Sequence, residues 1–133
     1  MTGWQEIGDR VFVRRYAFYD QNIGVVVGDG GLLLVDTRVS HRQAEEIRDD
    51  IRSISSLPVT TVVNTHGHSD HAFGNHVFRP ATIWGHERCA TMIASTGERQ
   101  RERLANVMPE LADELAEVVL DPPDRTFETT TTV

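Results

Sequence analysis

Three of the six histidines in this chain fall within one short segment, at positions 66, 68 and 71, together with Asp70. In an extended segment, side chains two residues apart point to the same side, so His66 and His68 can present their imidazoles to one metal ion. Asp70 and His71 follow at the start of a predicted helix, where their side chains diverge toward the position of a second metal ion. The spacing therefore predicts a site for one or two adjacent metal ions.

The ligand types indicate which metal this site would hold. Imidazole and carboxylate suit Zn²⁺, with Fe or Mn also possible, and the absence of cysteine from the cluster argues against a closed structural zinc site. An open, catalytic site is favoured. The alternative is a polar loop of surface histidines, or a helix cap made by Asp70. The coincidence of four ligand-type residues with a strand-to-helix junction argues against that alternative.

The elements before this segment are predicted to form a sheet that positions it. Strands are predicted over residues 11–16, 22–27 and 32–36, with the glycine-rich residues 28–31 as a hairpin turn. Two of these strands are apolar without alternation, which is typical of strands covered on both faces, so helices are predicted to pack on this sheet. A helix begins after Ser40, which forms a capping-box pattern with Gln43, and a β-branched strand over residues 59–64 leads into the histidines.

After the histidines, the pattern predicts a short helix over residues 70–77, a strand over 81–85 and a helix over 86–96. Residues 98–103 are predicted to be a solvated helix face in preference to a binding patch. Helical spacing resumes at Leu104 and continues to Val118, with an interruption at Pro109. Residues 126–133 have strong strand propensity, so the chain is predicted to stop inside a strand.

Composition limits the classes of function. The 133 residues suit one domain, and the net charge of −7 with a pI near 5.3 argues against nucleic acid or an anionic membrane as a partner. All basic residues are arginine, which excludes lysine Schiff-base chemistry. Cys89 is the only cysteine and lies among apolar residues, which favours a buried, inert thiol over a catalytic one. The first residues show no secretory pattern, so a cytoplasmic location is predicted.

Residues 64–71, with the sequence NTHGHSDH, resemble the HxHxDH signature of the metallo-β-lactamase superfamily. The apolar strand that ends in Asp36, the Gly74-Asn75 pair and the strand and helix around residues 84–87 resemble the same family in order and spacing. The resemblance implies an α/β fold, the metallo-β-lactamase-like αββα sandwich. It also implies that residues 1–133 are the N-terminal half of a single domain that is truncated at its C-terminal end.

The resemblance also implies the ligand set: His66 and His68 on one metal ion, Asp70 and His71 on a second. Asp36 would hydrogen-bond a ligand imidazole and fix its orientation, the alternative being an ordinary turn-forming aspartate. The ligands that the second half of the family's domain supplies match no residue here. His76 is predicted to be a surface or helix-end residue. His86 is predicted to be a helix-start residue, or to lie behind a ligand, in preference to binding metal.

The implied activity is that of a zinc-dependent hydrolase of the β-lactamase or glyoxalase II kind. A metal-bound hydroxide would attack a carbonyl or phosphoryl centre, with Asp70 as the catalytic residue that orients the nucleophile. The substrate is a small molecule of unspecified class. The alternative is a non-catalytic half-domain that associates with itself, or with a chain supplying the rest of the fold.

Overall fold

A computed structural model describes residues 3–133, which form one seven-stranded mixed sheet with helices packed on it. The strands follow one another across the sheet in chain order. Their bounds are β1 Trp4–Gly8, β2 Val11–Tyr16, β3 Gln21–Val27, β4 Leu32–Val35, β5 Val59–Val63, β6 Thr82–His86 and β7 Arg125–Phe127. The α-helices are α1 His41–Asp50, α2 Ser69–Ala72, α3 Glu87–Val107 and α4 Ala112–Ala116. Short 3-10 turns lie at Phe18–Asp20, Ile51–Ser53, Asn75–Phe78 and Pro109–Leu111.

The first four strands form an antiparallel meander, of which the sequence predicts the last three. The turn between β3 and β4 is closed by a hydrogen bond of 2.9 Å from the Gly28 N–H to the Gly31 carbonyl. The edge strand β1 was not predicted, because it is mostly exposed and its short sequence shows no strong apolar alternation. The prediction of β2, β3 and β4 is confirmed to within one residue at each end.

From β4 onward the strands are parallel and are joined by crossovers that contain the helices. Every crossover moves the chain one strand further in the same direction, and right-handed crossovers of this kind place their helices on one face of the sheet. α1 begins where the sequence predicts, because the Ser40 hydroxyl accepts a hydrogen bond of 3.1 Å from the Gln43 N–H. The motif of interest lies in the second crossover, at the carboxyl end of β5.

The helices after the motif differ from the prediction. The expected helix over residues 70–77 is divided into α2 and a 3-10 turn, with Gly74 between them. A Cβ atom on Gly74 would lie 2.1 Å from the Thr37 carbonyl oxygen, so this backbone approach requires glycine. The helix predicted over residues 86–96 extends to Val107, and the polar residues 98–103 lie inside it.

The predicted strand over residues 126–133 is wrong beyond Phe127. β7 pairs with β6 only from Arg125 to Phe127, since β6 ends at His86 and α3 begins at the next residue. The following threonines have strand propensity but no neighbouring strand, and propensity without a hydrogen-bonded partner does not form a sheet.

The buried apolar core lies on the helical face of the sheet. Its main cluster joins α1 to the sheet through side chains that include Ile23, Val25, Leu34, Ile47 and Val62, all completely buried. A second cluster joins α3 and α4 to the loops above the sheet, and a third lies between α2 and α3.

The opposite face of the sheet carries a second apolar layer. The strand register places these side chains in two rows across neighbouring strands, and they are only half-buried: Val11, Val26 and Leu33 in one row, and Val13, Val35, Val63 and Trp84 in the other. Within residues 3–133, the helices pack on one face only. The prediction that helices pack on the sheet is confirmed, and the other face is left uncovered by this part of the chain. No helix in the same residues is long and apolar enough to cross a bilayer.

Candidate metal centre

The motif histidines lie together at the carboxyl end of β5, where the chain turns into α2. The ring centroids of His66 and His68 are 4.7 Å apart, and those of His66 and His71 are 4.2 Å apart. On the other side of His71, its Nε2 lies 3.2 Å from Oδ2 of Asp70. All four predicted ligand residues are therefore adjacent.

Asp36 lies directly behind this cluster, at the end of β4, and its side chain is 3% exposed. One carboxylate oxygen, Oδ1, accepts a hydrogen bond of 2.8 Å from the Thr65 N–H. The other, Oδ2, is 2.7 Å from the Thr65 hydroxyl and 2.8 Å from Nδ1 of His71. Asp36 is thus bonded to the motif at three points and is not merely a turn-forming residue.

The backbone around Asp36 is held in an unusual conformation. Asp36 and Arg38 have φ angles of 67° and 68°, in the left-handed region that non-glycine residues seldom adopt. The Thr37 N–H between them donates a hydrogen bond of 2.8 Å to the His71 carbonyl. Such conformations persist where the surrounding contacts fix them, and they are concentrated at functional sites.

The carboxylates set the electrostatics of the histidines. The hydrogen bonds that the His71 ring donates to Asp36 and then to Asp70 raise its pKa to about 9, in spite of partial burial. Burial, followed by repulsion from His71 and His68, lowers the pKa of His66. Burial alone would raise the pKa of Asp70, but its hydrogen bond to His71 and the charge of that ring outweigh burial, and the pKa is lowered.

A hydrogen-bond relay connects Asp36 to His66 as well. Nδ1 of His66 lies 3.0 Å from the Thr65 hydroxyl, which itself donates to Asp36. The hydroxyl proton is engaged by Asp36, so the bond to His66 requires the proton on Nδ1 of that ring. Nε2 of His66 is then left with a free lone pair. Thr65 was not singled out from the sequence, although its position next to His66 was visible.

Two glutamines brace the backbone of the motif from opposite sides, and neither was predicted. The Gln100 side chain on α3 donates a hydrogen bond of 3.0 Å to the Gly67 carbonyl and accepts one of 2.7 Å from the Ser69 N–H. Gln21 of β3 is 1% exposed, and its side chain donates a hydrogen bond of 2.7 Å to the Asp70 backbone carbonyl. The prediction that residues 98–103 form a solvated face therefore misses Gln100, whose side chain faces inward.

Below the motif lies a buried network of amides. Asn64, immediately before the motif, and Asn75, after it, exchange hydrogen bonds of 2.9 and 2.7 Å. The Thr37 hydroxyl donates 2.8 Å to the same Asn75 oxygen. Because Asn75 is completely buried and its polar atoms are paired, the network ties both ends of the motif to the loop that carries Asp36.

The residues present fit a divalent metal ion in type and in proximity. Three imidazoles and a carboxylate form a donor set that suits Zn²⁺, and a carboxylate behind a ligand imidazole is the usual arrangement around such ions. In residues 3–133, Nε2 of His66 and both ring nitrogens of His68 have no hydrogen-bond partner in the protein. As the side chains stand, no three metal-ligand side chains within these residues converge on one ion position, and Asp70 contacts His71 instead.

The remaining predicted residues lie outside the cluster. His76 is 47% exposed and pairs with Asp121, as predicted for a surface residue. His86 caps the start of α3 by accepting a hydrogen bond of 3.0 Å from the Arg88 N–H, so its prediction as a helix-start residue is confirmed. Cys89 is buried, as predicted, and burial raises the pKa of its thiol to about 11. The inertness of this thiol stays a prediction.

The sequence model of the metallo-beta-lactamase superfamily matches residues 16–132. The chain therefore belongs to this superfamily, whose members are generally metal-dependent hydrolases. No curated protein sequence matches it.

Solved structures share the fold. A metallo-beta-lactamase from Pontibacter korlensis superposes with a TM-score of 0.67 at 20% identity, covering 98% of this chain and 54% of that one. The metallo-beta-lactamase FIM-1 from Pseudomonas aeruginosa, in its mono-zinc form, has a TM-score of 0.63 at 16% identity, covering 93% of this chain and 49% of that one. The sec-alkylsulfatase Pisa1 from Pseudomonas sp. has a TM-score of 0.60 at 20% identity, covering 74% of this chain and 17% of that one. The chain spans about half the length of the two metallo-beta-lactamases that it matches.

Proposed function

We propose that this chain supplies the metal-binding half of a zinc-dependent hydrolase that acts on a carbonyl or phosphoryl centre. His66, His68, Asp70 and His71 would hold one or two ions, with Zn²⁺ favoured over Fe or Mn. The observation that supports this proposal is the contact of three imidazoles backed by the buried Asp36 carboxylate. Membership of a superfamily of metal-dependent hydrolases supports it independently.

Bound zinc supplies Lewis acidity, which lowers the pKa of a water molecule to about 7 and polarises the substrate oxygen. The protein's own part is orientation. Asp36 holds Nδ1 of His71 directly and Nδ1 of His66 through Thr65, which leaves Nε2 of each ring as the nitrogen that would bind metal. Asp70, at the mouth of the cluster and only partly exposed, would orient the attacking water.

The experiment is a zinc titration of the purified 133-residue chain by isothermal calorimetry, with metal content measured after dialysis. We expect one or two Zn²⁺ per chain, together with hydrolysis in a panel of esters, thioesters and phosphodiesters once the rest of the domain is present. If the chain retains no zinc and shows no heat of binding, the proposal fails. A cytoplasmic location for the enzyme is part of the same proposal.

The second candidate is that the chain functions by association, with its half-buried apolar sheet face against a second sheet layer. The face carries two apolar rows that the helices leave uncovered. The matched metallo-beta-lactamases are about twice as long as this chain, so the occupant we propose is the other half of the same fold. An uncovered apolar layer of this extent favours association in water.

Alone in solution, the chain is expected to self-associate through this face. Sedimentation velocity should show a dimer or larger species for the wild type and a monomer for a Leu33→Lys/Val63→Lys variant, because two charges placed in adjacent rows oppose burial. Val119→Lys changes an exposed apolar residue that lies outside the sheet, beside His41 of α1; it is the control and should leave the dimer intact. A strictly monomeric wild type contradicts the association.

A further inference from the structure

A cavity of about 600 Å³ opens beside the candidate metal centre. One wall is the motif itself, through His68, Ser69 and Asp70. The other wall is a stripe of α3 that begins at Met92 and continues at helical intervals to Val107. A molecule in this cavity therefore contacts two of the proposed metal ligands and one face of α3.

Two arginines stand on that stripe. Arg99 and Arg103 are four residues apart on α3, so their side chains are neighbours, and both line the cavity. Across residues 3–133, neither takes part in an ion pair or a side-chain hydrogen bond, whereas Arg101 on the same helix pairs with Glu98. Two adjacent like charges without a counter-ion repel each other. In a chain of net charge −7, this is a local concentration of positive charge.

The rest of the cavity wall is unusually apolar for a surface. Tyr19, Met92 and Val107 line it and are 49%, 39% and 67% exposed. They make up half of the six large hydrophobic side chains that are exposed among the residues that the structure describes. The cavity thus combines an unpaired cationic pair with apolar contact surface, and Asp70 is its one acidic side chain.

We propose that this cavity binds an amphipathic organic anion, and that Arg99 and Arg103 determine this specificity. The guanidinium forks suit the paired oxygens of a carboxylate, sulfate or phosphate group, and the apolar part of the ligand packs on Tyr19, Met92 and Val107. This inference deepens the proposed function and rests on it in one respect: the bound anion is the substrate, whose reactive group lies against His68 and Asp70.

The test measures binding to the full chain by NMR titration without added metal, so that it does not depend on zinc. The probes are 3-phenylpropionate and phenyl phosphate, compared with the neutral isostere 3-phenylpropionamide. We expect both anions to bind about tenfold more tightly than the amide, since one charge-assisted contact at an exposed site is worth roughly this factor. The preference should fall as salt is raised from low to physiological strength.

An Arg99→Gln/Arg103→Gln variant is expected to lose this preference while an Arg88→Gln variant keeps it. Arg88 is an exposed arginine of the same helix that does not line this cavity. Equal binding of anion and amide by the wild type, or an undiminished preference in the double variant, overturns the proposal. Zinc titration of the same wild-type samples separates the two claims. If no zinc binds but the preference for anions is present, the proposed hydrolase is refuted and the proposed anion site is not.

Discussion

Replacing His66 with alanine is expected to lower the affinity of the chain for Zn²⁺ by about 100-fold or more. The ring of His66 lies between those of His68 and His71, so its loss removes the central donor of the cluster. A complete four-ligand zinc site is worth about 10–16 kcal/mol, so one ligand accounts for about 3 kcal/mol, which corresponds to about 100-fold in affinity. Isothermal calorimetry at fixed pH measures this difference directly.

His76→Ala is the matched control for this experiment. His76 is also an imidazole with a carboxylate on Nδ1, but it is 47% exposed and bonded to Asp121 outside the cluster. Its loss is expected to leave zinc affinity within about twofold of the wild type, since surface substitutions away from a site change little. Equal affinities for the His66→Ala and His76→Ala proteins would show that zinc binds elsewhere, and the proposed centre would be wrong.

The sequence predicted the fold where local patterns and tertiary structure agree. β5 is recognisable from its β-branched residues, α1 from the Ser40 cap, and the meander from its glycine turn. The αββα class came from the resemblance of residues 64–71, and the superfamily match confirms it. The apolar strands also predicted a sheet with both faces covered, but such a pattern shows that a face is to be buried and does not show by what; within residues 3–133 the helices cover one face.

The ligand-type residues of the site were also readable from the sequence, since four of them lie within six positions. Their assignment as metal ligands and the cytoplasmic location stay predictions. The side chains that position the motif could not be found in this way. Gln21 and Gln100 come from distant elements and act through hydrogen bonds to backbone groups, which leave no pattern in residue spacing. Arg99 and Arg103 have the sequence pattern of a solvated helix face, and only the position of α3 beside the motif places them in the cavity.

Asp36 is the position where one atom's change is expected to affect two proposed ligands, and Asp36→Asn tests it. Asparagine has the same shape and adopts the left-handed conformation found here, with φ at 67°, so the backbone can be retained. Its amide has one acceptor and one donor end. If the oxygen remains on the Thr65 N–H, the NH₂ group faces both the Thr65 hydroxyl and Nδ1 of His71.

That reversal changes the tautomers of the two rings. Nδ1 of His71 must then accept a hydrogen bond and give up its proton, which leaves the ring's remaining proton on Nε2, the nitrogen beside Asp70. The Thr65 hydroxyl turns to donate to His66, and the proton of that ring moves to Nε2 as well. We expect zinc affinity to fall about 10–100-fold, the usual effect of losing a carboxylate behind a ligand histidine.

The control is Asp121→Asn, which changes another carboxylate bonded to a histidine Nδ1, at 3.1 Å from His76, and should leave zinc affinity unchanged. Thr65→Val interrupts only the relay to His66 and is expected to lower zinc affinity less than Asp36→Asn does. This variant still tests the role of Asp36 if the Asp36→Asn protein folds poorly. Nitrogen-15 NMR of the ring nitrogens reports the tautomers independently of metal. If the Asp36→Asn protein keeps the proton on Nδ1 of His71 and binds zinc as tightly as the wild type, Asp36 does not orient the ligands, and its burial behind them is structural.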